Sequence, residues 1–528
     1  MRIGIDVGGT NTDAVLLGDA GEVLAAVKTA TTSDVSGGIV AALATLQGKH
    51  AFDPIGVRAV MIGTTHFINA LVEARRLAPT AALRLGLPAT ASLPPMVDWP
   101  ERLVEAVHGR AYLAHGGHEF DGRKISDLDE DELRRHAADM AAHGVRSLAI
   151  TSVFSPVSAE FELRAAEVIA AELPEMAISL SHEIGRIGLL ERENATVVNA
   201  ALRELAAGIV DGLTASVLGA GILAPIYLSQ NDGTLMDVEH ARRYPVSTFA
   251  SGPTNSMRGA AVLSGVGNCA VIDVGGTTSD VGVLTRGFPR EATTEVSVAG
   301  IRTNFRMPDV LSIGIGGGSL VTGTPDSAAV GSRSVGYRLT EEALVFGGST
   351  LTATDIAVAA GRADIGDASL VAHLDRSLVR AALERIAADV ADAVDRMRTS
   401  SAPLPVVAVG GGSVLLPDVL AGSGEVLRPE NFAVANAIGA AIAQVSGEVD
   451  RVFTIEPGRR HEVLDAARAE AVERAVAAGA TPNSVEVLEV DEVPLPYLPG
   501  GATRIRVKAV GDLQLHGARA GAPEVAGV

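Results

Sequence analysis

Cysteine is almost missing: Cys269 is the only one in 528 residues. A disulfide framework and a cysteine metal cluster are therefore excluded. Cys269 itself precedes an apolar segment and reads as a small buried residue rather than a nucleophile. Basic side chains are in deficit, 43 against 63 acidic ones, for a net charge of −20. That balance argues against nucleic acid or an anionic membrane as partner. No uncharged apolar run of about 18 residues occurs, so no membrane-spanning helix is expected. Met1-Arg2 enters an apolar segment directly, without a leader-like stretch, and the expectation is a cytoplasmic protein. The HExxH metal-hydrolase signature is missing too, and a Ser-His-Asp triad has no marker.

What is present is 47% apolar residues, suited to α/β layers, in a chain long enough for about two to four domains. It also contains a repeat. Residues 3–17, IGIDVGGTNTDAVLL, return as 270–284, AVIDVGGTTSDVGVL. Such a repeat at one long interval suggests two related domains facing each other. The apolar run ending in Asp6 reads as a buried strand. Gly8 and Gly9 allow a tight turn that leaves room for a ligand, and Thr10, Asn11 and Thr12 add polar donors. Apolar residues 14–17 then return as a second, antiparallel strand. A Rossmann fingerprint or a P-loop would open a helix instead. A Gly-Gly-Thr turn with free N–H groups suits phosphate, and an adjacent Asp suits Mg²⁺ with its waters. A ligand-free glycine hairpin is the plainer reading of one copy; two copies with aspartates in the same places weigh against it.

This pattern resembles the phosphate loops of the actin, sugar kinase and Hsp70-like ATPase superfamily. Within it, GIDVGGTNTD and VIDVGGTTSD are most similar to the hydantoinase A/5-oxoprolinase family. The resemblance implies two ribonuclease-H-like, actin-like α/β domains flanking a nucleotide cleft, with a small C-terminal α/β appendage. The expected units are 1–195, with an irregular insertion at about 80–122, then 196–447 and 448–528. ATP and Mg²⁺ (or Mn²⁺) are the implied cofactors. Asp6, Asp13, Asp273 and Asp280 become the catalytic carboxylates, with Asp6 and Asp273 at the metal. Gly8, Gly9, Thr10, Asn11 and Thr12 would hold phosphates, as would Gly275, Gly276, Thr277 and Thr278. Gly316, Gly317 and Gly318, in a segment like the family's IGAGGGS, would face the nucleotide with Gly410, Gly411 and Gly412. Leu311 stands where the family often has His.

Further segments continue the likeness. Gly63-Thr64-Thr65-His66-Phe67-Ile68-Asn69 follows a short strand and matches a GTT…NA pattern, making Thr65, His66 and Asn69 substrate candidates. QNDG at 230–233 and SGPTNS at 251–256 add Asn231, Ser251 and Asn255 at strand ends, where α/β ligand sites gather. Asp309 and Asp355 are weaker carboxylate candidates. Pro88, Pro94, Pro95 and Pro100 punctuate the 80–122 stretch. His115 and His118, near Glu119 and Asp121, offer a metal there, against the plainer reading of a solvated loop. Strands and helices alternate from 129 to 181, leading into Ser181-His182-Glu183 and a long helix that includes Glu191 and Arg192. A helix of small residues at 431–445 would close the fold.

The implied function is ATP-dependent opening of a cyclic amide: a hydantoin, 5-oxoproline or a lactam. This chain would phosphorylate the carbonyl oxygen, and a hydantoinase B-type partner would complete the reaction in an oligomer. Phosphorylation turns a poor electrophile into one with a good leaving group, and its catalysis is mostly positioning and charge neutralisation. The rivals are a small-molecule kinase, a ketone-activating carboxylase subunit and a partner-remodelling ATPase.

Overall fold

The computed structural model describes residues 1–9, 11–30, 35–292, 296–495 and 501–515. Thr10, the Thr32-Ser33-Asp34 cluster expected to cap the first helix, and the tail at 517–528 lie outside these. The chain opens with strands β1 (Arg2–Val7), β2 (Asn11–Leu17) and β3 (Val23–Ala30), helix α1 (Val35–Lys49), β4 (Val60–Thr64) and α2 (His66–Val72). Next come β5 (Thr80–Leu87), β6 (Arg110–His115), α3 (Glu130–Ala142), β7 (Ser147–Ser152), α4 (Glu160–Glu172), β8 (Ala177–Leu180) and α5 (Leu189–Gly219). Strands β9 (Ile226–Ser229) and β10 (Leu235–Asp237) precede α6 (Ser251–Ser264). The second half brings β11 (Cys269–Val274), β12 (Ser279–Thr285), β13 (Phe288–Pro289), β14 (Val310–Ile313), α7 (Arg376–Met397) and β15 (Val406–Val409). It ends with β16 (Val419–Leu420), β17 (Gly424–Leu427), α8 (Ala435–Ala440), β18 (Gln444–Thr454), α9 (Arg460–Ala477), β19 (Glu486–Pro494) and β20 (Ala502–Asp512).

Two large sheets follow one plan. The first runs β10-β9-β4-β1-β2-β3, and the second runs β13-β12-β11-β15-β17-β16 with β14 beside β12. In each, the glycine loop joins an antiparallel pair, as its apolar–Gly-Gly–apolar pattern predicts. The registers are equivalent: Asp6 stands opposite Asp13, and Asp273 opposite Asp280. Each leading strand is flanked on its other side by a parallel strand, β4 beside β1 and β15 beside β11. Helix α5 shares one apolar core with the first sheet through Val198, Leu202, Leu205, Ile209 and Leu213, all buried at helical spacing. Helix α7 does the same for the second through Ile386, Val390 and Val394.

Between the sheets lie α6 and α8, packed so closely that only glycine fits at the contact. A Cβ on Gly259 would meet the Ala435 carbonyl at 1.9 Å, and one on Gly439 the Asn255 carbonyl at 1.8 Å. Helix α8 is shorter than the 431–445 expected, because the chain turns extended at Gln444 to begin β18.

Three expectations change here. The 80–122 stretch is not irregular throughout: its β5 and β6 belong to a four-stranded parallel sheet ordered β6-β5-β7-β8, with turns between and after them. Charge in the middle of TAALRLGL hides β5, since Arg84 is fully buried in it. The strand tolerates that charge because Glu193 on α5 accepts from Arg84 Nε at 2.7 Å and Nη2 at 2.5 Å. Removing one partner of such a pair costs about 3–5 kcal/mol. Residue 195 is not a sheet boundary but lies inside α5, and the first sheet takes in β9 and β10 beyond it. The appendage begins at Gln444 with a three-stranded antiparallel sheet, β18-β20-β19, covered by α9.

The histidines of the 80–122 stretch part company. His115 pairs with Glu132 at 3.0 Å, whereas His118 is buried and stacks on Phe161. Among the described residues no cluster of three or more His, Cys, Asp or Glu side chains is placed to hold a metal, and no helix is long and apolar enough to cross a membrane.

Candidate functional site

Both glycine loops open on one cavity of about 450 Å³ between the sheets. The first loop contributes Gly8, Gly9, Asn11 and Asp13; the second contributes Asp273, Gly275 and Gly276. Gly8 N–H and Gly275 N–H bond back to Asn11 and Thr278 carbonyls at 3.0 and 2.9 Å, which closes the two turns alike. At the tips, Cβ atoms on Gly9 or Gly276 would meet nothing within 4 Å. The loops thus present open backbone to the cavity, as a phosphate cradle requires.

The two repeats differ in how their aspartates are held. Asp6 Oδ1 accepts from Asn255 Nδ2 at 3.1 Å, and its Oδ2 accepts from Asn436 Nδ2 at 3.0 Å. Both oxygens are occupied, and Asp6 does not line the cavity. Asp273 does line it, with Ser256 as its hydrogen-bonding side chain. Burial pushes both carboxyls up to about 6, against the opposing pull of their donors. Asp280 is raised by burial and bonded by Ser312 at 2.5 Å, away from the cavity lining. Asp13 lines the cavity, receives Asn436 Nδ2 at 2.8 Å and lies 2.8 Å from Lys28 Nζ.

One turn of α6 links these parts. Thr254 Oγ1 donates to the Asn231 carbonyl at 3.0 Å, Asn255 donates to Asp6, and Ser256 bonds Asp273. Consecutive side chains of one helix thus reach both sheets' aspartates. Glycines make room for the carboxylates: a Cβ on Gly63 would sit 2.3 Å from Asp6 Oδ1, and one on Gly410 2.3 Å from Asp273 Oδ1.

Other expected nucleotide residues divide. Gly410, Gly411 and Gly412 line the cavity beside Leu339, Ile365, Val414 and Leu415, an apolar wall suited to a base. Of the glycine triplet only Gly317 reaches the cavity. Gly317 and Gly318 donate N–H groups to Gly275 and Gly276 carbonyls at 3.0 and 2.7 Å, and a Cβ on Gly316 would meet Thr277 N at 2.6 Å. The triplet therefore braces the second loop from behind. Thr277 and Thr278 are exposed outside the cavity lining, and Thr12 is buried in β2.

The expected substrate residues change most. Asn231 is buried; its Nδ2 donates to Val246 and Arg306 carbonyls and its Oδ1 accepts from Ala250 N–H. Ser251 is buried and ties α6 to Thr64, and Asn255 serves Asp6. These three are structural because their polar groups are spent on the protein itself. Thr65, His66 and Asn69 stay at the C-terminal edge of β4, with His66 Nδ1 2.7 Å from Thr64 Oγ1 and Asn69 donating to Thr65. Asp355 caps its own short helix and Asp309 pairs with Arg290, so neither is a site group. Arg192 is buried against Ser152 and Ile187 carbonyls.

Profiles of two parts of one family match this chain. The hydantoinase/oxoprolinase N-terminal region matches residues 2–173, and hydantoinase/oxoprolinase matches 192–399. The chain belongs to the hydantoinase/oxoprolinase family. Among its relatives, the caprolactamase subunit alpha of Pseudomonas jessenii is 26% identical over 466 residues, covering 83% of this chain and 65% of that protein. The acetophenone carboxylase gamma subunit of Aromatoleum aromaticum is 27% identical over 252 residues, 46% of this chain and 34% of that one. The chain thus spans less than two thirds of the length of these curated relatives. The ATP-dependent caprolactamase structure from Pseudomonas jessenii matches with TM-score 0.77 at 19% identity, covering 98% of this chain and 88% of that one. The nucleotide-free acetone carboxylase structure matches with TM-score 0.66 at 18% identity and the same coverage. These establish a shared mixed α/β fold.

In this member of the family, three side chains of the cleft have no place among the residues read from sequence. Asn436, Lys28 and Ser256 bear directly on Asp6, Asp13 and Asp273. Asn436 is the one polar side chain in the run ANAIGA, which is the signal that marks it. Lys28 is the only cation lining the cavity among the described residues. Ser256 adjoins Asn255 and carries no mark of its own.

Proposed function

We propose that this chain uses ATP to phosphorylate the carbonyl oxygen of a cyclic amide, a hydantoin, 5-oxoproline or a lactam, so that its ring can be opened by water. The observation that carries the reading is the convergence of two carboxylate-bearing glycine loops on one cavity, supported by the caprolactamase relative. In this reading the sheets of β1 and β11 are two ribonuclease-H-like, actin-like domains, and residues from 444 form the appendage. Phosphates lie on the Gly8-Gly9 and Gly275-Gly276 turns, beside Asn11, with Lys28 as countercharge. Adenosine lies against Gly410 to Gly412 and their apolar wall.

The donor set suits Mg²⁺ (or Mn²⁺): hard carboxylate oxygens, few in number, leaving positions for water and phosphate. Asp273 would hold the ion with Asp13. Asp6, expected at the metal, instead orients Asn436 and Asn255. The bound ion would neutralise charge on the β- and γ-phosphates. The remaining contribution of the protein is alignment of the carbonyl oxygen with the γ-phosphorus, with Thr65, His66 and Asn69 at the edge where the amide enters. A hydantoinase B-type partner, an oligomeric assembly and a cytoplasmic location belong to the same reading; the partner is supported by relatives that are themselves subunits. Activation of a ketone for carboxylation is the second reading, favoured by the acetophenone carboxylase relative.

The test is ADP release by the purified chain with Mg²⁺ and ATP, alone and with a co-encoded partner. Cyclic amides, ketones and sugars are compared. Stimulation by a cyclic amide supports the reading; stimulation by ketones or sugars alone replaces it.

A further inference from the structure

Strand β20 carries a row of cations. Arg504, Arg506 and Lys508 alternate with Ile505, Val507 and Ala509, so the sheet β18-β20-β19 has one charged and one apolar face. The apolar face shares a core with Leu464, Ala467 and Ala471 of α9. On the charged face the sign changes from strand to strand. Lys508 stands between Glu448 of β18 and Glu489 of β19, and Arg506 between Asp450 and Asp491. Opposite charges side by side are the favourable cross-strand arrangement.

The inner half of this ladder is satisfied. Arg504 pairs with Asp450 at 2.6 Å, Arg506 with Glu448 at 2.7 Å, and Lys508 with Asp232 at 2.9 Å. The outer half is not. Strand β19 is an edge: no described strand pairs with its far side. Glu489 and Asp491 are 43% and 49% exposed there, and Arg506 is 3.4 and 3.5 Å from them. That guanidinium is already bonded to Glu448 and Glu291. Burial raises the Glu489 carboxyl against the pull of Arg506, with Asp491 and Glu291 adding to the rise.

A cavity of about 690 Å³ runs along this edge, lined by six consecutive residues, 488–493, with Phe288, Pro289 and Arg290 among those of its far wall. Six strand residues extend about 20 Å. The edge accepts donors from across the gap, since Arg286 Nη1 donates to the Leu488 carbonyl at 2.7 Å. Two other cations of the lining have acids of their own: Arg290 pairs with Asp309 at 2.7 Å and Arg186 with Glu291 at 3.2 Å. The charge left over at the edge is therefore that of Glu489 and Asp491. Charged side chains on an edge strand prevent indiscriminate pairing. Two copies of β19 paired antiparallel would set these acids against each other, so a second copy of this chain does not fit. The same charge selects an extended segment of opposite sign.

We propose that β19 is the docking edge for the partner subunit, which adds an extended segment with Lys or Arg at alternate positions as a fourth strand. Its backbone bonds the free edge, and two of its cations face Glu489 and Asp491, continuing the alternation of sign. This rests on the partner subunit of the reading above and not on its ATP chemistry.

The experiment measures hydrogen exchange in the full chain, alone and with the co-encoded hydantoinase B-type subunit, and the Kd of that pair by calorimetry. The variants are the double substitutions Glu489→Lys with Asp491→Lys and Glu489→Gln with Asp491→Asn, each checked for folding by circular dichroism. The partner is expected to slow exchange of the 486–494 amides by about tenfold or more. The lysine pair is expected to raise Kd by about tenfold or more at low salt, the neutral pair by about threefold, and both losses shrink as salt rises. If the lysine pair fails to fold, the neutral pair is read in its place. Partner binding without slower exchange at 486–494, or with an unchanged Kd in the folded variants, overturns the docking edge while the partner reading stands. Slower exchange that grows with the concentration of this chain alone assigns the edge to a second copy and overturns the proposal. No binding of the partner to the unaltered chain overturns the partner reading, and the docking edge with it.

Discussion

Asp6 and Asp13 stand opposite each other on antiparallel strands and share one donor, the Nδ2 of Asn436, at 3.0 and 2.8 Å. Two carboxylates this close repel, and the helix that closes the fold supplies the group that holds them together. Asn436→Ala removes hydrogen bonds to charged acceptors, each worth about 1.5–3 kcal/mol. The expected result is a 10- to 100-fold loss of kcat for amide-stimulated ADP release in protein that still folds, measured beside its melting temperature. Asn436→Asp adds a third carboxylate and is expected to lower ATP affinity further, measured by calorimetry.

Asp273 sets a pH window. Its folded carboxyl is raised by burial to about 6 from an ordinary 3.8. Between those values the folded state binds more protons than the unfolded one. Its contribution to stability therefore falls as pH rises from about 4 to 6, by about 3 kcal/mol at most, and levels off above. Denaturant unfolding at pH 4.5 and 7 is expected to show a smaller decline, or none, in Asp273→Asn. The ionised form is the one that serves the metal, so ADP release is expected to fall below about pH 6.

Gly410 has φ +80° and leaves no room for a Cβ beside Asp273. Gly410→Ala is expected to cost about 1–3 kcal/mol in strain and to weaken ATP binding at least tenfold. Gly411, whose Cβ would meet nothing within 4 Å, is the control. Gly411→Ala is expected to stay within about 1 kcal/mol of the unaltered protein by denaturant unfolding.

Lys28 is half-exposed beside Asp13 and is the one cation lining the cavity among the described residues. ATP with Mg²⁺ at 100 times its Kd is expected to stabilise the chain by about 2.7 kcal/mol. Lys28→Met is expected to raise that Kd at least tenfold, and Lys28→Arg to retain more of the affinity. Thermal shift across an ATP titration reads both.

Much of this site was legible because the chain writes it twice. Asp6-Val7-Gly8-Gly9 and Asp273-Val274-Gly275-Gly276 announce two equivalent hairpins, and the registers follow the apolar pattern on either side. Strand β5 was hidden because Arg84 is acceptable there only through Glu193, which is remote in sequence. Asn231, Ser251 and Asn255 look like ligand groups because polar residues at strand ends often are. Their donors are spent on carbonyls and on Asp6, which only the packing of α6 reveals. The roles of Asn436 and Lys28 depend likewise on which carboxylates the fold brings beside them.

The measurement that bears most directly on the central claim is ADP release with Mg²⁺, ATP and ε-caprolactam, hydantoin or 5-oxoproline, in the unaltered chain and in Asp273→Asn, each with its co-encoded partner present. The account predicts stimulation by at least one cyclic amide, lowered at least 100-fold in Asp273→Asn while the fold is retained. Stimulation that survives in Asp273→Asn, or no ATP binding by the unaltered chain, contradicts it.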